Sequence, residues 1–372
     1  MSGFPLTASS LDACQLRAEP IERLVALMER HIADDRYPGG QIAIARHGKL
    51  AYARNFGQAR AGVAVRDDTL WLLYSNTKVI TAVAVWLLAE RGAFRFTDKI
   101  TDHVPEFARN GKQDITIQQV ITHLGGYPSA QVPEAAWEDH AVLRDAVCNF
   151  TLEYSPGSRL HYHGQSAHWT LAVLIEAVTG QDFRTFIRDE VLVPLGLADE
   201  AHVGLAEARH GQTADMHVPD ALTYKMLPEN NTTAWKRAGS PGAGGYATAR
   251  AMAALYQMML QGGELGGTRL LSPRVLQYAI RNWTGDMVDH YMQQPMHRGL
   301  GPHLRGTTAT IRGLGSFASP TTFGHGGAGI SYCWGDPESG VSFAYLTNCR
   351  IPDPWHSKRL DVVSNLVHAA IL

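Results

Sequence analysis

Strand patterns at both ends of the chain, separated by a long helical stretch, constrain the fold more than any other feature. Near the start, GGQIAIARHGKLAYARNFG (39–57) gives two β-rich runs around a His47-Gly48-Lys49 turn and predicts a hairpin. Near the end, SYCWGDPESGVSFAYLTNC (331–349) predicts two more strands, and HSKRLDVVSNLVHAAIL predicts a closing amphipathic helix. Strands from the two ends can therefore share one sheet.

Helical patterns dominate the middle of the chain. They cover Thr77 to Arg91, TIQQVITHL, HWTLAVLIEAVTGQ and DFRTFIRDEVLVPLGL, and a further amphipathic helix, IERLVALMERHIADD, precedes the first hairpin. We therefore predict an α/β fold of the α+β type. Residues 1–75 and 250–372 would form a lobe with an antiparallel sheet and flanking helices, and residues 76–249 a mostly helical lobe.

The composition excludes several classes of partner. The 372 residues are 45% hydrophobic, which is enough for a large core, and the formal net charge is −2 with a pI near 6.8. No run of five like charges is present, so nothing favours nucleic acid or an anionic membrane surface. A small molecule is the expected partner.

The N-terminal sequence and the cysteines favour a reducing compartment. MSGFPLTASSLDACQLRAEP lacks a basic segment followed by an apolar one, and no stretch reaches about 18 consecutive apolar residues. The four cysteines have no metal-ligand spacing and are too few for a disulfide framework in a chain of this length: Cys14, Cys148, Cys333 and Cys349. We expect a soluble cytoplasmic protein with reduced thiols.

The segment LWLLYSNTKVITAVAVWLLAERG (70–92) places a hydroxyl and an amine three residues apart at the start of a helix. Residues i and i+3 share a helix face, so Lys78 can reach the Ser75 hydroxyl. A neutral lysine can activate a serine as a nucleophile, and the helix N-terminus favours the developing alkoxide. Taken alone, however, these letters are better explained by a serine helix cap followed by a solvated lysine.

Further segments, in a fixed order along the chain, favour the activated nucleophile over the helix cap. They are DDTLWLLYSNTK, ITIQQVITHLGGYPS, EYSPGSRLHYHGQSAHWTLAVLIEAVTGQ and FGHGGAGISYCWGDPESGVSFAYLTN. Over about residues 20 to 350 the chain resembles the serine β-lactamase and penicillin-binding-protein superfamily, and is most similar to class C β-lactamases and family VIII carboxylesterases. The resemblance implies an active site between the two lobes.

The resemblance also implies the catalytic residues. The nucleophile corresponds to Ser75, the helix lysine to Lys78 and the loop tyrosine to Tyr162. A phenol near two cations can be driven toward phenolate, and Tyr162 would then take the Ser75 proton and pass it to the leaving group. Without the resemblance, a buried tyrosine with a local hydrogen-bond partner would be the better interpretation.

The family's Lys-Thr-Gly strand motif corresponds to His325-Gly326-Gly327. Glycines on a strand edge allow a substrate to approach closely, and the Ala328 amide would form an oxyanion hole together with the Ser75 amide. His325 itself is equally consistent with substrate contact and with a structural histidine.

Two departures from the family pattern favour an ester over a β-lactam substrate. Gly164 occupies the position of an asparagine that holds the β-lactam side-chain amide in the family, and His325 replaces a lysine that meets a carboxylate. The absence of an export signal agrees with this interpretation, because antibiotics and cell-wall peptides are met outside the cytoplasm.

Three more residues next to the motifs are candidates for substrate contact. Tyr127 and Trp334 can wall an apolar acyl pocket, and His163 can contact substrate or support Tyr162. His161, His163 and His168 lack the carboxylate pattern of a metal site, so neither a metal nor another cofactor is expected. Ser166, in Gly164-Gln165-Ser166-Ala167-His168, lacks the last glycine of a nucleophile elbow and is rejected as the nucleophile.

These observations predict a serine hydrolase that cleaves a small-molecule ester, or less readily an amide, through a Ser75 acyl-enzyme. Three alternatives stay open. The acyl group can pass to a small alcohol or amine, the protein can be a weak β-lactamase or D-amino-acid peptidase, or it can be a non-catalytic acylated sensor. The motifs do not indicate an oligomeric state.

Overall fold

The computed structural model of the chain describes residues 3–221, 223–308 and 313–372. These ranges contain seventeen strands, most of them short. In chain order they are β1 (Thr7–Ala8), β2 (Gly39–Arg46), β3 (Lys49–Arg60), β4 (Val63–Ala64), β5 (Trp71–Leu72), β6 (Ala201–Val203), β7 (His217–Asp220), β8 (Thr223–Met226), β9 (Gly245–Ala247), β10 (Glu264–Leu265), β11 (Thr268–Arg269), β12 (Val288–Asp289), β13 (Gln294–Pro295), β14 (His303–Leu304), β15 (Phe323–Gly327), β16 (Ser331–Asp336) and β17 (Val341–Thr347).

The same ranges contain ten α-helices. They are α1 (Ala18–Ala33), α2 (Thr77–Glu90), α3 (Ile117–Ile121), α4 (His140–Cys148), α5 (Ser166–Thr179), α6 (Phe183–Ile187), α7 (Thr233–Ala238), α8 (Ala249–Leu260), α9 (Pro273–Ala279) and α10 (Trp355–His368). A π-helical turn over Arg188–Leu192 continues α6. None of the described helices combines the length and the apolar character needed to cross a membrane.

One large sheet is built from both ends of the chain. Its strands follow the order β1-β3-β2-β17-β16-β15-β14, and β4 pairs with β3 beside that path. In the centre, Phe343 of β17 lies opposite Ile44 of β2 and Trp334 of β16. The predicted α/β class, with an antiparallel sheet made of terminal strands, is confirmed. The two-residue β1 departs from the pattern because it pairs with β3 in parallel.

Helices cover both faces of this sheet. Because side chains alternate along a strand, Ile44 and Phe343 pack toward α1 and α10, whereas Ala43 and Ala344 pack toward α8. All residues of β2 and β17 are buried as a result. Large side chains fill one side of the sheet, and small ones let α8 approach closely on the other.

The helix that carries Lys78 is buried on all sides. Twelve residues of α2 are buried, and the helix packs against α5 and against β15 of the large sheet. A helix without a polar face lies inside a core. The Lys78 side chain is therefore enclosed by protein from the first turn of α2, where sequence alone allowed it to be solvated.

The sequence did not predict the short strands of two further sheets, which lie within the region 76–249 except for β5 at Trp71–Leu72. β5, β9 and β6 form a three-stranded sheet, and β7 pairs with β8. Two to four residues are too few for an alternating pattern to be recognised. β9 positions the start of α2, because the Gly245 amide donates to Thr77 Oγ1 (2.9 Å) and its carbonyl accepts from the Leu73 amide (2.8 Å). The division of the chain into two lobes stays a prediction.

One buried glutamine joins α8 to two turns of the large sheet. Gln257 Oε1 accepts from the Gly48 amide (2.8 Å), and Nε2 donates to the Gly340 carbonyl (3.0 Å) and to Ser342 Oγ (3.0 Å). Gln257 is fully buried, whereas Gln261, one turn further along, is exposed. The two glutamines therefore form a matched pair for measuring this polar contact.

We expect Gln257→Leu to lower the free energy of unfolding by about 2–4 kcal/mol, because it leaves buried backbone groups without partners. Gln261→Leu should change the free energy of unfolding by less than about 1 kcal/mol. Urea denaturation followed by circular dichroism measures both. Equal losses in the two variants would contradict this account of the α8 contact.

Candidate active site

Ser75 lies in a short 3-10 turn, Tyr74–Asn76, that leads into α2. Tyr74 has a positive φ of 43°, a costly conformation for a residue with a side chain. Its hydroxyl donates to Asn230 Oδ1 (2.5 Å), which helps to hold the turn. The Ser75 hydroxyl makes no capping bond to α2, so the helix-cap interpretation does not describe this serine.

Lys78 is fully buried, and its amine lies against three oxygen atoms. Nζ is 2.7 Å from the Gly164 carbonyl oxygen, 2.7 Å from the Gly242 carbonyl oxygen and 3.2 Å from Ser75 Oγ. Burial first, and then the charge of Arg298, lower the pKa of Lys78 well below its ordinary value. The surroundings therefore favour the neutral amine.

Tyr162 reaches the same serine from the other side of the turn. Its Oη lies 2.7 Å from Ser75 Oγ, and Lys78 Nζ lies 5.1 Å from the centroid of its ring. Burial raises the pKa of Tyr162 to about 12, although the hydrogen bond to Ser75 and the charge of Arg298 act in the opposite direction. The expected shift toward phenolate is therefore not what this site favours, because burial outweighs the nearby charge.

With Lys78 neutral and Tyr162 protonated, every polar hydrogen of Ser75, Lys78 and Tyr162 has a hydrogen-bond acceptor. The two N–H groups of a neutral Lys78 donate to the Gly164 and Gly242 carbonyls, which cannot donate in return. The lone pair of Nζ then faces Ser75 and can accept its hydroxyl proton, while Tyr162 donates to Ser75 Oγ. In this arrangement Lys78 can accept a proton from Ser75 and Tyr162 can donate one.

A buried ion pair supports the loop that carries Tyr162. Arg298 Nη2 donates to Asp289 Oδ2 (2.5 Å), and Asp289 Oδ1 accepts from the Tyr162 amide (3.1 Å). The side chains are 1% and 0% exposed. Sequence reasoning missed both residues, because β12 and the segment around Arg298 carry no recognisable motif.

The strand β15 lies directly against the serine turn. A Cβ atom at Gly327 would approach the Leu73 carbonyl oxygen to 2.5 Å, so a glycine is required there. The Asn76 side-chain amide joins the turn to the strand. Its oxygen accepts from the Gly327 backbone amide (3.2 Å), and its nitrogen donates to the His325 carbonyl. Ala328, at the end of the strand, is exposed.

The backbone amides of Ser75 and Ala328 are the predicted oxyanion hole. Neither takes part in the backbone hydrogen bonds of the surrounding turns and loops in the described ranges. Both residues line the same cleft. Two amide donors beside a nucleophile are the arrangement that stabilises an oxyanion.

His325 is buried and neutral. Its Nδ1 lies 2.9 Å from the Gly326 carbonyl oxygen, which can only accept, so the ring proton is on Nδ1. Burial lowers the pKa of His325 well below its ordinary value. The ring also packs against His303, with 4.1 Å between the centroids. His325 therefore provides no fixed positive charge.

The cleft in front of Ser75 has a volume of about 610 Å³. His325, Gly326, Gly327 and Tyr162 line it, as the sequence predicted. Its apolar wall could not be predicted, because the residues come from four separate segments: Val218, Tyr291, Met292, Met296, Ile351, Pro352 and Leu360. A cleft of this size and mixed lining suits a small organic substrate.

Three predicted substrate-contact residues do not line this cleft: Tyr127, Trp334 and His163. Tyr127 is fully buried, and its hydroxyl donates to Thr170 Oγ1 (3.2 Å). Trp334 is fully buried on the α10 face of the sheet, where Nε1 donates to Ser364 Oγ (3.1 Å). Adjacency to a motif along the chain therefore did not bring these side chains to the site.

His163 lies behind Tyr162. Its Nδ1 is 2.7 Å from the His161 carbonyl oxygen, and its Nε2 accepts from the Tyr127 amide (3.2 Å). Burial lowers the pKa of His163 to about 3, so the ring is neutral. These side-chain contacts join His163 to His161 and Tyr127, and its support of Tyr162 stays a prediction.

One group of side chains in the described ranges could share a metal ion. It consists of His140, Glu176 and Asp182, and it lies outside the cleft. His140 Nδ1 is 3.0 Å from Glu176 Oε1, and Asp182 pairs with Arg184 at 2.6 Å. These contacts already provide partners for the charged groups.

The fold and the site define a hydrolase of the serine β-lactamase and penicillin-binding-protein type. The Beta-lactamase family matches residues 24–365. The chain therefore belongs to the Beta-lactamase family, and the resemblance inferred from the motifs is confirmed.

Three similar proteins illustrate the range of this family. The Esterase/beta-lactamase LipL of Mycobacterium tuberculosis is 29% identical over 84% of this chain and 77% of its own length. A penicillin-binding protein homologue from Caulobacter crescentus has a TM-score of 0.81 at 25% identity, over 94% of this chain and 98% of the other. A family VIII carboxylesterase has a TM-score of 0.81 at 25% identity, over 96% and 99%.

The tight contact between β15 and the serine turn leads to a prediction. In Gly327→Ala, the new Cβ must displace the Leu73 carbonyl, which separates the Ala328 amide from Ser75. We expect kcat/KM for p-nitrophenyl butyrate to fall by about 10²–10³-fold. Ala328→Gly keeps the amide and should retain activity within a few fold. Similar losses in both variants would contradict the proposed role of this contact.

Proposed function

We propose that this protein is a serine hydrolase that cleaves small-molecule esters through an acyl-enzyme on Ser75. The observation that carries the proposal is the convergence of a buried amine and a phenol on one hydroxyl, with Lys78 Nζ at 3.2 Å and Tyr162 Oη at 2.7 Å from Ser75 Oγ. A serine hydroxyl becomes a nucleophile when a positioned base takes its proton.

In the first half of the reaction, Ser75 Oγ attacks the ester carbonyl and Lys78 takes the hydroxyl proton. The Ser75 and Ala328 amides stabilise the oxyanion. Tyr162 gives its proton to the leaving alcohol and is reprotonated by Lys78, so the acyl-enzyme forms with both groups neutral again. In the second half, water attacks the acyl-enzyme and the same groups move its proton in the reverse order.

Two features of the site support an ester substrate. A neutral His325 offers no cation for a substrate carboxylate, and Gly164 offers no side-chain amide. The apolar wall of the cleft suits an uncharged acyl group. The description of the family VIII carboxylesterase supports the same choice, whereas the name of LipL, Esterase/beta-lactamase, fits either substrate. We also propose that the cleft separates two lobes, residues 1–75 with 250–372 and residues 76–249.

The Ser75→Ala variant tests the proposal. We expect loss of p-nitrophenyl ester turnover and loss of covalent labelling by a serine-reactive phosphonate, because the attacking oxygen is gone. Ser166→Ala is the matched control. The Ser166 hydroxyl is buried and donates to the Tyr127 carbonyl (2.9 Å), so its removal should leave labelling intact.

Intact-protein mass spectrometry and steady-state kinetics read out this experiment. Labelling that persists in Ser75→Ala would overturn the assignment of the nucleophile. In the wild-type protein, sustained ester turnover is expected. A single stoichiometric burst would indicate an acylated sensor instead of an enzyme.

Substrate preference can be tested at the two positions that depart from the family pattern. A Cβ atom at Gly164 would meet nothing within 4 Å, so a side chain can begin there without a clash. We expect Gly164→Asn with His325→Lys to raise kcat/KM for a cephalosporin relative to a p-nitrophenyl ester by about tenfold, because both new groups bind the β-lactam.

The double variant Gly164→Ala with His325→Gln is the control, since it changes the same positions without adding an asparagine amide or a cation. The ratio of the two kcat/KM values should stay near that of the wild type in this control. A ratio that is unchanged in the Asn/Lys variant would place substrate preference outside these positions.

A further inference from the structure

Arg298 is a buried cation beside the catalytic groups, and the mechanism above gives it no role. Its side chain is 1% exposed, and its Cζ lies 5.1 Å from the centroid of the Tyr162 ring. Lys78 Nζ lies at the same distance from that centroid. The phenol ring therefore has two basic groups over it, one from α2 and one from the loop that follows β13.

Asp289 ties this cation to the backbone of Tyr162. One carboxylate oxygen accepts from Arg298 Nη2 at 2.5 Å. The other accepts from the amides of Tyr162 (3.1 Å), Tyr291 (2.9 Å) and Met292 (3.3 Å). The pair thus contacts Tyr162 twice, at its amide through Asp289 and at its ring through Arg298.

The groups that face Arg298 carry little other charge. Asp289 is the carboxylate among them: burial raises its pKa, but the charge and hydrogen bond of Arg298, together with the Tyr291 and Tyr162 amides, bring the pKa below its ordinary value. Burial, followed by cations that include Arg298, lowers the pKa of His123 and His325, and burial lowers that of His163 to about 3. With these imidazoles neutral and Lys78 deprotonated, Arg298 supplies the fixed positive charge of this part of the site.

We propose that Arg298, held by Asp289, is a positioning residue for the reaction: it fixes the Tyr162 phenol against Ser75. The proposal rests on the serine-hydrolase function and adds a residue to its machinery. Arg298 is 1% exposed and does not line the cleft, so its charge acts on the catalytic side chains and not on the substrate. A cation beside Lys78 also opposes its protonation.

The pH dependence of the reaction separates this role from a purely structural one. Neutral Lys78 is the active form, so kcat/KM falls at low pH as Lys78 becomes protonated. This fall is the acid limb of the pH profile. Removing the Arg298 charge makes Lys78 easier to protonate, and the acid limb then moves to higher pH. Loss of packing alone would lower the rate without moving the limb.

The experiment compares Arg298→Gln, which removes the charge, with Arg298→Lys, which retains it. For Arg298→Gln we expect the acid limb to move up by about half a pH unit or more, with a lower maximum of kcat/KM for p-nitrophenyl butyrate. For Arg298→Lys we expect the limb to stay near its wild-type position. An unmoved limb in Arg298→Gln, or the same shift in Arg298→Lys, would overturn the proposal.

Arg359→Gln is the matched control. Arg359 is also a buried arginine over aromatic rings, with its Cζ 5.3 Å from the Tyr37 ring centroid, but it does not contribute to the lowered pKa of Lys78. Its loss should leave the acid limb in place. If Arg298→Gln fails to fold, Arg298→Gln with Asp289→Asn removes both charges of the pair, and a smaller upward shift is expected because the Asp289 charge acts on Lys78 in the opposite direction.

A second readout keeps the two proposals distinguishable. The rate of phosphonate labelling of Ser75, measured against pH, reports activation of the hydroxyl without requiring ester turnover. A wild-type protein that is labelled but turns over no ester would contradict the proposed function. The labelling profile of Arg298→Gln would still decide the role of Arg298.

Discussion

The burial of one amine determines the chemistry of the site. Lys78 belongs to a helix that is apolar on all sides, and charging it there would cost free energy that its two carbonyl contacts do not recover. The cost is avoided when the amine stays neutral. The core that encloses α2 therefore also favours the neutral amine beside Ser75, the form that can accept a proton.

The cost of burying a charge also explains the charge distribution around the substrate. His325 and His163 are neutral because they are buried, and Arg298 is balanced by Asp289 at 2.5 Å. The cleft therefore meets a substrate with amide dipoles, neutral rings and an apolar wall. This lining differs from one built around a lysine on β15.

Sequence reasoning identified the parts of the site that carry their own local pattern. Ser75 and Lys78 share a helix face, and His325-Gly326-Gly327 lies on a predicted strand, so spacing and resemblance located them. Arg298 and Asp289 come from short segments without periodicity and meet only in the folded chain. Gly242 contributes a carbonyl, which no side-chain pattern reveals. Trp334 was misleading because β16 is buried on both faces, so alternation could not tell which face leads to the cleft.

The pairing of β2 with β17 has a consequence for how the chain reaches this structure. Phe343 lies opposite Ile44, so the centre of the sheet joins residues about 300 positions apart. The N-terminal hairpin leaves the ribosome early, yet the apolar edge of β2 stays uncovered until nearly the whole chain has been synthesised. Such late, non-local pairing slows folding, and an uncovered strand edge promotes association between chains. The protein is therefore most vulnerable to aggregation during its own synthesis, before the last strands have been made.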